Sequence, residues 1–142
     1  MRRSSVVFIV CVVVSLPACS RQGARNIALQ KQWNAKCKEA ADLLAGVTDV
    51  ASARAAEPKL IRVFDEWEKI GEQLDESYDP ENVAVRDNKA MTEAAAQGIV
   101  EMQRLTQETL RISKRPELVE ALGKAWKRNP STMMLQAGST GR

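Results

Sequence analysis

The sequence predicts an all-α protein, specifically an antiparallel three-helix, coiled-coil-like bundle with a short fourth C-terminal helix. The strongest indication is an apolar stripe whose members recur at alternating spacings of four and three residues: Leu60, Phe64, Trp67, Gly71 and Leu74. This spacing puts the side chains on one face of a helix, and that face must be buried. Two more segments carry a stripe of the same period, and aromatic residues, which strands favour, make up only 4 % of the chain.

The first helix is expected to cover residues 26–45, at the start of a bundle domain predicted to span residues 26–129. Gly46 follows the helix at a position where glycine is common, because glycine adopts a left-handed backbone easily. Cys37 lies on the apolar stripe of this helix, so we expect a thiol buried as a small hydrophobe. The alternatives are a redox thiol or, if Cys19 is not lipidated, a disulfide to Cys19. The stripe consists of Trp33, Cys37, Ala40, Leu44 and Val47.

The second helix is expected to begin after Thr48 or Asp49, whose side-chain oxygens can accept hydrogen bonds from the free amides of a first turn. Pro58 lies inside this helix. Because proline lacks an amide hydrogen and crowds the preceding turn, we expect a kink or a short break near residues 55–57.

The third helix is expected to begin at Asp79-Pro80-Glu81 and to end near Ser113. The start combines a capping carboxylate, a proline at the first helical position and an acidic residue in the first turn. Residues 94–98 are mostly small, so we expect a bulky side chain to approach the helix there, with Trp33 and Trp67 as candidates; a flexible hinge is the alternative.

Pro116 begins a short fourth helix that is expected to end near Arg128, with Val119, Leu122 and Trp126 as its buried edge. Residues 130–142 are mostly polar and small, and they are predicted to be a flexible tail.

Residues 1–19 have the pattern of an export signal. Arg2 and Arg3 precede an apolar run over residues 6–16, which is shorter than the ~20 residues that a membrane-spanning helix needs. The run ends in Leu16-Pro17-Ala18-Cys19, which resembles the lipobox of bacterial lipoproteins, with Pro17 where Ala, Ser or Thr is usual. The resemblance implies removal of residues 1–18 and lipidation of Cys19, on its sulfur by diacylglycerol and on its new amino group by a fatty acid such as palmitate. The alternative is an ordinary signal peptide that releases a soluble protein.

Residues 19–25 are then expected to be a short, lipidated tether that holds the bundle close to a membrane facing the periplasm. The residue after the cysteine is Ser20, and in this respect the sequence resembles lipoproteins that are sorted to the outer rather than the inner membrane. The run over residues 49–60 resembles a segment of small all-helical bacterial lipoproteins without an assigned activity, which implies fold and location only.

The residue types exclude most chemistry. The chain has no histidine, no Cys-x-x-Cys pair, no calcium-type acidic loop and no glycine-rich phosphate loop. We therefore predict no enzyme activity, no metal and no cofactor. Without Arg2 and Arg3 the charges of the two signs are almost balanced, so nucleic-acid binding is not expected.

Two functions remain. The first is a structural or protein-interaction module that docks an envelope protein through an exposed face or through its long third helix, with an oligomer as an option. The second is a periplasmic carrier of a small ligand, with an apolar cavity between the helices near Trp33, Phe64 and Trp67. A filled interior with an apolar patch outside favours docking, whereas an enclosed pocket favours carriage.

Overall fold

The computed structural model describes residues 18–77 and 89–132, with side chains from Gly23 onward. Its helices are α1 (Ala18–Ala45), α2 (Val50–Ser77), α3 (Lys89–Ser113) and α4 (Pro116–Arg128). No strand occurs in these ranges. The predicted all-α fold, a bundle of long helices with a short fourth helix, is confirmed.

Cross-helix contacts give the directions of the helices. α1 is antiparallel to α2, since Lys36 Nζ lies 2.5 Å from Glu66 Oε2 while Asn26, nearer the start of α1, contacts the carbonyl of Ser77. α3 runs parallel to α1, because Asn34 contacts α3 near its start and Leu44 contacts it near its end. α4 packs mainly against α2 and runs back along α3. The directions therefore alternate along the chain, as short connections require.

One apolar core lies between the helices. All four contribute side chains that are at most 1 % exposed, and α4 supplies two of the largest. Burial of each such side chain is worth about 1.5–3 kcal/mol, so the short fourth helix is part of the stable unit. The largest apolar ones are Leu44, Leu60, Val63, Leu105, Ile112, Leu118 and Leu122, together with Val47 from the connection between α1 and α2.

Both ends of the connection between α1 and α2 are capped. Asp49 Oδ1 accepts a hydrogen bond from the Ser52 amide (2.7 Å), and the Asp49 amide donates to Ser52 Oγ (3.0 Å), which confirms the predicted start of α2. At the end of α1, the guanidinium of Arg111 on α3 donates to the carbonyls of Leu44 (2.7 Å) and Val47 (3.0 Å). A cation at a helix C-terminus also interacts favourably with the helix dipole.

The helix bounds differ from the prediction in three places. α1 begins at Ala18 rather than near residue 26, so the backbone of residues 19–25, the expected tether, is helical. The polarity of that segment suggested a tether, but most of its residues are good helix formers. α2 continues through Pro58 as one helix, so of the kink or short break expected near residues 55–57 the break does not occur, because burial of the apolar face of α2 outweighs the single hydrogen bond that proline removes. Residues 130–132 form a helical turn in which Ser131 and Thr132 are buried, so the bundle extends beyond residue 129.

The expected start of the third helix at Asp79-Pro80-Glu81 lies outside the described residues, as do residues 1–17 and 133–142.

The small residues of α3 admit a polar side chain rather than a tryptophan. A Cβ on Gly98 would lie 2.7 Å from Asn34 Oδ1. Asn34 is buried, donates to the Ala94 carbonyl (2.6 Å) and accepts from Gln30 Nε2 (3.0 Å). The approach of Trp33 or Trp67 to this patch was therefore a wrong prediction, since a hydrogen-bonded amide joins α1 and α3 there.

One residue of α4 has a non-helical backbone, and a side chain of α2 bonds to the residue that follows it. Gly123 has φ 46° and ψ −112°, a backbone conformation that favours glycine. Glu57 Oε1 accepts a hydrogen bond from the Lys124 amide (3.0 Å), which stabilises the part of α4 that follows Gly123. The carboxylate of Glu57 thus acts as a cap supplied by another helix.

Candidate functional site

An aromatic groove opens to the surface between α1, α2 and the end of the described chain. The rings of Trp33 and Trp67 meet edge to face, with centroids 4.9 Å apart and an interplanar angle of 64°. The Phe64 ring lies 6.3 Å from that of Trp67. The groove has a volume of about 420 Å³ and is lined by Trp33, Phe64, Asp65, Trp67, Glu68, Gly71, Met102, Lys127, Arg128 and Pro130.

Polar groups lie beside the rings of the aromatic groove. Asp65 and Arg128 form an ion pair between α2 and α4. Glu68 and Lys127 are exposed. Pockets for small molecules commonly combine apolar walls with a few charged groups and have volumes of about 300–1,000 Å³. The aromatic groove therefore suits a small apolar molecule with one polar end.

The outward face of α3 is a second candidate surface, which we define as residues Ala95, Ala96, Ile99, Val100, Gln103, Gln107 and Leu110. Three of its large apolar side chains are exposed: Ile99 by 61 %, Val100 by 56 % and Leu110 by 41 %. None of its seven residues is charged. Exposed apolar residues that lie together in this way mark interaction sites more often than isolated ones do.

The charged residues between Ala95 and Leu110 lie on the other sides of α3 and bond within the fold. Arg104 Nη2 lies 2.6 Å from Asp42 Oδ1 on α1, and Arg111 Nε lies 2.7 Å from Glu108 Oε2. Hydrogen bonds from Lys38 and Arg104 lower the pKa of Asp42. By contrast, the exposed side of α2 is densely charged, with Arg54, Lys59, Arg62, Glu68, Lys69, Glu72, Asp75 and Glu76. The absence of charge on the outward face of α3 is thus a local feature of that helix.

The thiol of Cys37 is unsuited to chemistry. It is fully buried and unpaired with another cysteine, which confirms the prediction that it packs as a small hydrophobe. Burial raises the pKa of Cys37 to about 12, and the nearby charge of Glu101 acts in the same direction. The thiolate is the reactive form, so the redox alternative for Cys37 has no support.

Cys19 has its backbone in the first turn of α1, while its side chain lies outside those that the structure describes. Lipidation of Cys19 therefore stays a prediction.

The described residues contain no group of three or more His, Cys, Asp or Glu side chains placed to hold a metal ion. Charged side chains there pair across and along the helices, as Lys36 does with Glu66 and Glu39. The hydrogen bond from Lys36 lowers the pKa of Glu66. Such pairs keep carboxylates ionised and give no group poised for acid–base work at neutral pH. None of the described helices combines the length and the apolarity that crossing a membrane requires.

The sequence named three residues of the aromatic groove, and the structure brings Trp33, Phe64 and Trp67 together. These three residues line an open groove rather than the enclosed cavity expected for a small-ligand carrier. Sequence reasoning missed Lys127, Arg128 and Pro130, because their position depends on how α4 packs against α2. Sequence reasoning did name the third helix as a docking element. The stretch from Ala95 to Val100 contains no charged residue, and this was a signal for the outward face of that helix.

Comparison with known proteins finds no matching family model, no matching curated protein and no matching solved structure.

Proposed function

We propose that the protein is a lipid-anchored module of the bacterial cell envelope that works by binding another protein and performs no chemistry of its own. Cys19 carries the lipid after residues 1–18 are removed, and the bundle faces the periplasm, on the outer rather than the inner membrane. The charged start, short apolar run and lipobox-like end of residues 1–19 support this anchoring. Two or more acyl chains hold a protein firmly at a membrane, whereas a single chain holds it only marginally.

The outward face of α3 is the observation on which the binding role rests. The core is filled by large side chains that are at most 1 % exposed, while Ile99 and Val100 stay more than half exposed on an uncharged surface. Burying that surface against a partner removes apolar area from water and desolvates no charge. The partner is accordingly a protein that presents an uncharged helix or groove of its own.

Labelling with a fatty-acid probe tests the anchor. The full chain, produced in a bacterium with two membranes, is expected to incorporate the probe and to stay with the membrane fraction. Cys19→Ala should lose both properties. Cys11→Ala is the matched control and should keep them, because Cys11 lies in the segment that is removed. Absence of labelling, or labelling that persists in Cys19→Ala, would contradict the proposal.

Site-specific photo-crosslinking tests the binding surface. Gln103 on the outward face of α3 and Gln73 on the charged side of α2 are both exposed glutamines within helices. A photoreactive residue in place of Gln103 should give a protein adduct in intact cells, and one in place of Gln73 should not. Equal yields at both positions, or no adduct at Gln103, would argue against a role for this face.

A carrier of small apolar ligands is the second candidate, and the aromatic groove is the observation that favours it. An added Cβ on Gly71 meets no atom within 4 Å, so Gly71→Leu should fill the groove without disturbing the fold. Gly23→Leu is the control, since Gly23 also has open space around it but lies outside the groove. If the protein is a carrier, it should bind the apolar dye anilinonaphthalene sulfonate, Gly71→Leu should abolish this binding, and Gly23→Leu should not.

A further inference from the structure

We infer that the outward face of α3 binds a second copy of this chain, with the two α3 helices paired in parallel along residues 95–110. The inference deepens the binding role proposed above and rests on it for the membrane anchor. It is carried by the distribution of charge along α3, by one central glutamine and by the direction of α3 relative to the anchor.

The outward face has the periodicity of a coiled-coil seam. Its central residues alternate at spacings of three and four, which are the a and d positions of a heptad repeat: Ala96, Ile99, Gln103, Thr106 and Leu110. The exposed flanking e and g positions are also uncharged: Ala95, Val100 and Gln107. The other two g positions face the fold, since Met102 lines the aromatic groove and Thr109 is fully buried. All three charged residues in the stretch, Glu101, Arg104 and Glu108, fall at the b and f positions, away from the seam.

A second copy fits this seam because the seam is complementary to itself. Two identical uncharged faces meet without like-charge repulsion and without burying an unpaired charge. Gln103 lies near the middle of the stretch, and its side-chain amide is both a donor and an acceptor. Two Gln103 side chains across a two-fold axis can therefore hydrogen-bond to each other. A polar residue at a single a position is a known way to set the register and the number of strands.

The parallel direction follows from the anchor. Cys19 lies at the start of α1, and α1 and α3 run in the same direction. Two upright copies tethered in one membrane therefore bring the starts of their α3 helices to the same end of the pair. A two-fold axis along the membrane normal then places Ile99 opposite Ile99 and Leu110 opposite Leu110.

The pairing is expected to be weak in free solution. At 1.5 Å per residue, residues 95–110 span only about 24 Å. A single helix face of that length buries less than the roughly 800 Å² per partner that a typical stable interface needs. Tethering both copies to one membrane raises their effective concentration, so the lipid should strengthen the pair.

Sedimentation equilibrium of the full chain in mild detergent tests the pairing. The protein should show a concentration-dependent equilibrium between monomer and dimer. Ile99→Glu should weaken dimerisation by at least ~10-fold, because it buries a charge without a partner at the seam. Gln73→Glu introduces the same charge on the exposed, charged side of α2, outside the seam, and should leave the equilibrium unchanged. Circular dichroism verifies that both variants are folded, as expected for substitutions of exposed residues.

Thiol crosslinking in membranes tests the direction. A short thiol-to-thiol crosslinker should join two copies of Ile99→Cys and two copies of Leu110→Cys, but not two copies of Gln73→Cys. The native Cys37 should not interfere, because its side chain is fully buried. In an antiparallel pair centred on Gln103, Ile99 would face Gln107, and neither variant would crosslink to itself.

The remaining outcomes separate this inference from the function proposed above. A chain that is monomeric at every concentration, and whose Ile99→Cys variant gives no dimer in membranes, overturns the inference. It is equally overturned if Gln103 crosslinks only to a different protein or to lipid. If Gln103 crosslinks to a different protein, the protein-binding role proposed for this face still stands. A dimer that depends on Ile99 in a chain that carries no lipid would support the seam and overturn the anchor.

Discussion

Replacing Gly123 with alanine tests how α2 holds the short fourth helix in place. The backbone at Gly123, with φ 46° and ψ −112°, is one that an L-residue rarely adopts. In addition, a Cβ at this position would lie 2.7 Å from Glu57 Oε1. The alanine must therefore change the backbone, displace the Glu57 carboxylate, or do both.

The expected cost follows from these two effects. A non-glycine residue in such a strained region costs about 1–3 kcal/mol. Displacing Glu57 also removes its hydrogen bond with the Lys124 amide, and loss of a capping interaction costs about 1 kcal/mol. We expect Gly123→Ala to lower the free energy of unfolding by about 2–4 kcal/mol in total. For a chain of this size that corresponds to a fall in Tm of roughly 5–15 °C.

Thermal and urea unfolding followed by far-ultraviolet circular dichroism measures this cost, and a double-mutant cycle with Glu57→Ala separates its two parts. Glu57→Ala alone should cost about 1 kcal/mol. In the Glu57→Ala background, Gly123→Ala should keep the cost of backbone strain but lose the cost of the steric conflict. Gly71→Ala is the control for glycine replacement within a helix and should stabilise the protein by up to ~1 kcal/mol. If Gly123→Ala unfolds at the same temperature as the wild type or higher, the backbone of Gly123 and the carboxylate of Glu57 do not hold α4 in place.

Three other predictions follow from buried or capping groups. Gly98→Ala should lower the free energy of unfolding by about 1–2 kcal/mol although alanine favours a helix more than glycine does, because the new Cβ displaces the Asn34 amide. A rise in the urea midpoint, as expected for Gly71→Ala, would contradict this. Hydrogen bonds from Ser52 lower the pKa of Asp49 from its ordinary value of 3.8. The ionised Asp49 therefore contributes fully to the stability of the fold at neutral pH, and this contribution is lost as the pH falls through the lowered pKa. Asp49→Asn should therefore have a lower urea midpoint than the wild type at pH 7, and the difference should shrink in strong acid; a constant difference would refute the link to ionisation. With its pKa raised to about 12, Cys37 should resist alkylation at pH 8 in the folded protein and react once unfolded, as peptide mass mapping can measure.

The helices themselves were readable from the sequence because their signals are local. The alternating spacing of Leu60, Phe64 and Trp67 marks one face of a helix whatever that face packs against. The same is true of the cap at Asp49 and of the restart at Pro116. Errors arose where a local signal competed with a longer-range effect. Pro58 does interrupt one hydrogen bond, but burial of the rest of α2 keeps the helix whole.

The candidate surfaces were only partly readable for the same reason. Trp33, Phe64 and Trp67 lie on stripes that a bundle must bury, so their proximity could be expected from periodicity alone. The charged residues beside them, Lys127 and Arg128, come from α4, and nothing local relates that helix to α2. The outward face of α3 was visible as a stretch without charge, but only packing shows which side of the helix stays exposed.

By itself, the sequence determined that this protein is helical, which faces of its helices are apolar and that it contains no histidine. Those properties depend on residue type and on spacing within one helix. The tertiary structure decided that Asn34 rather than a tryptophan meets Gly98, that Glu57 caps α4, and that Ile99 and Val100 remain in solvent. Each of these is a contact, or the lack of one, between residues far apart in the chain, and no local pattern specifies it.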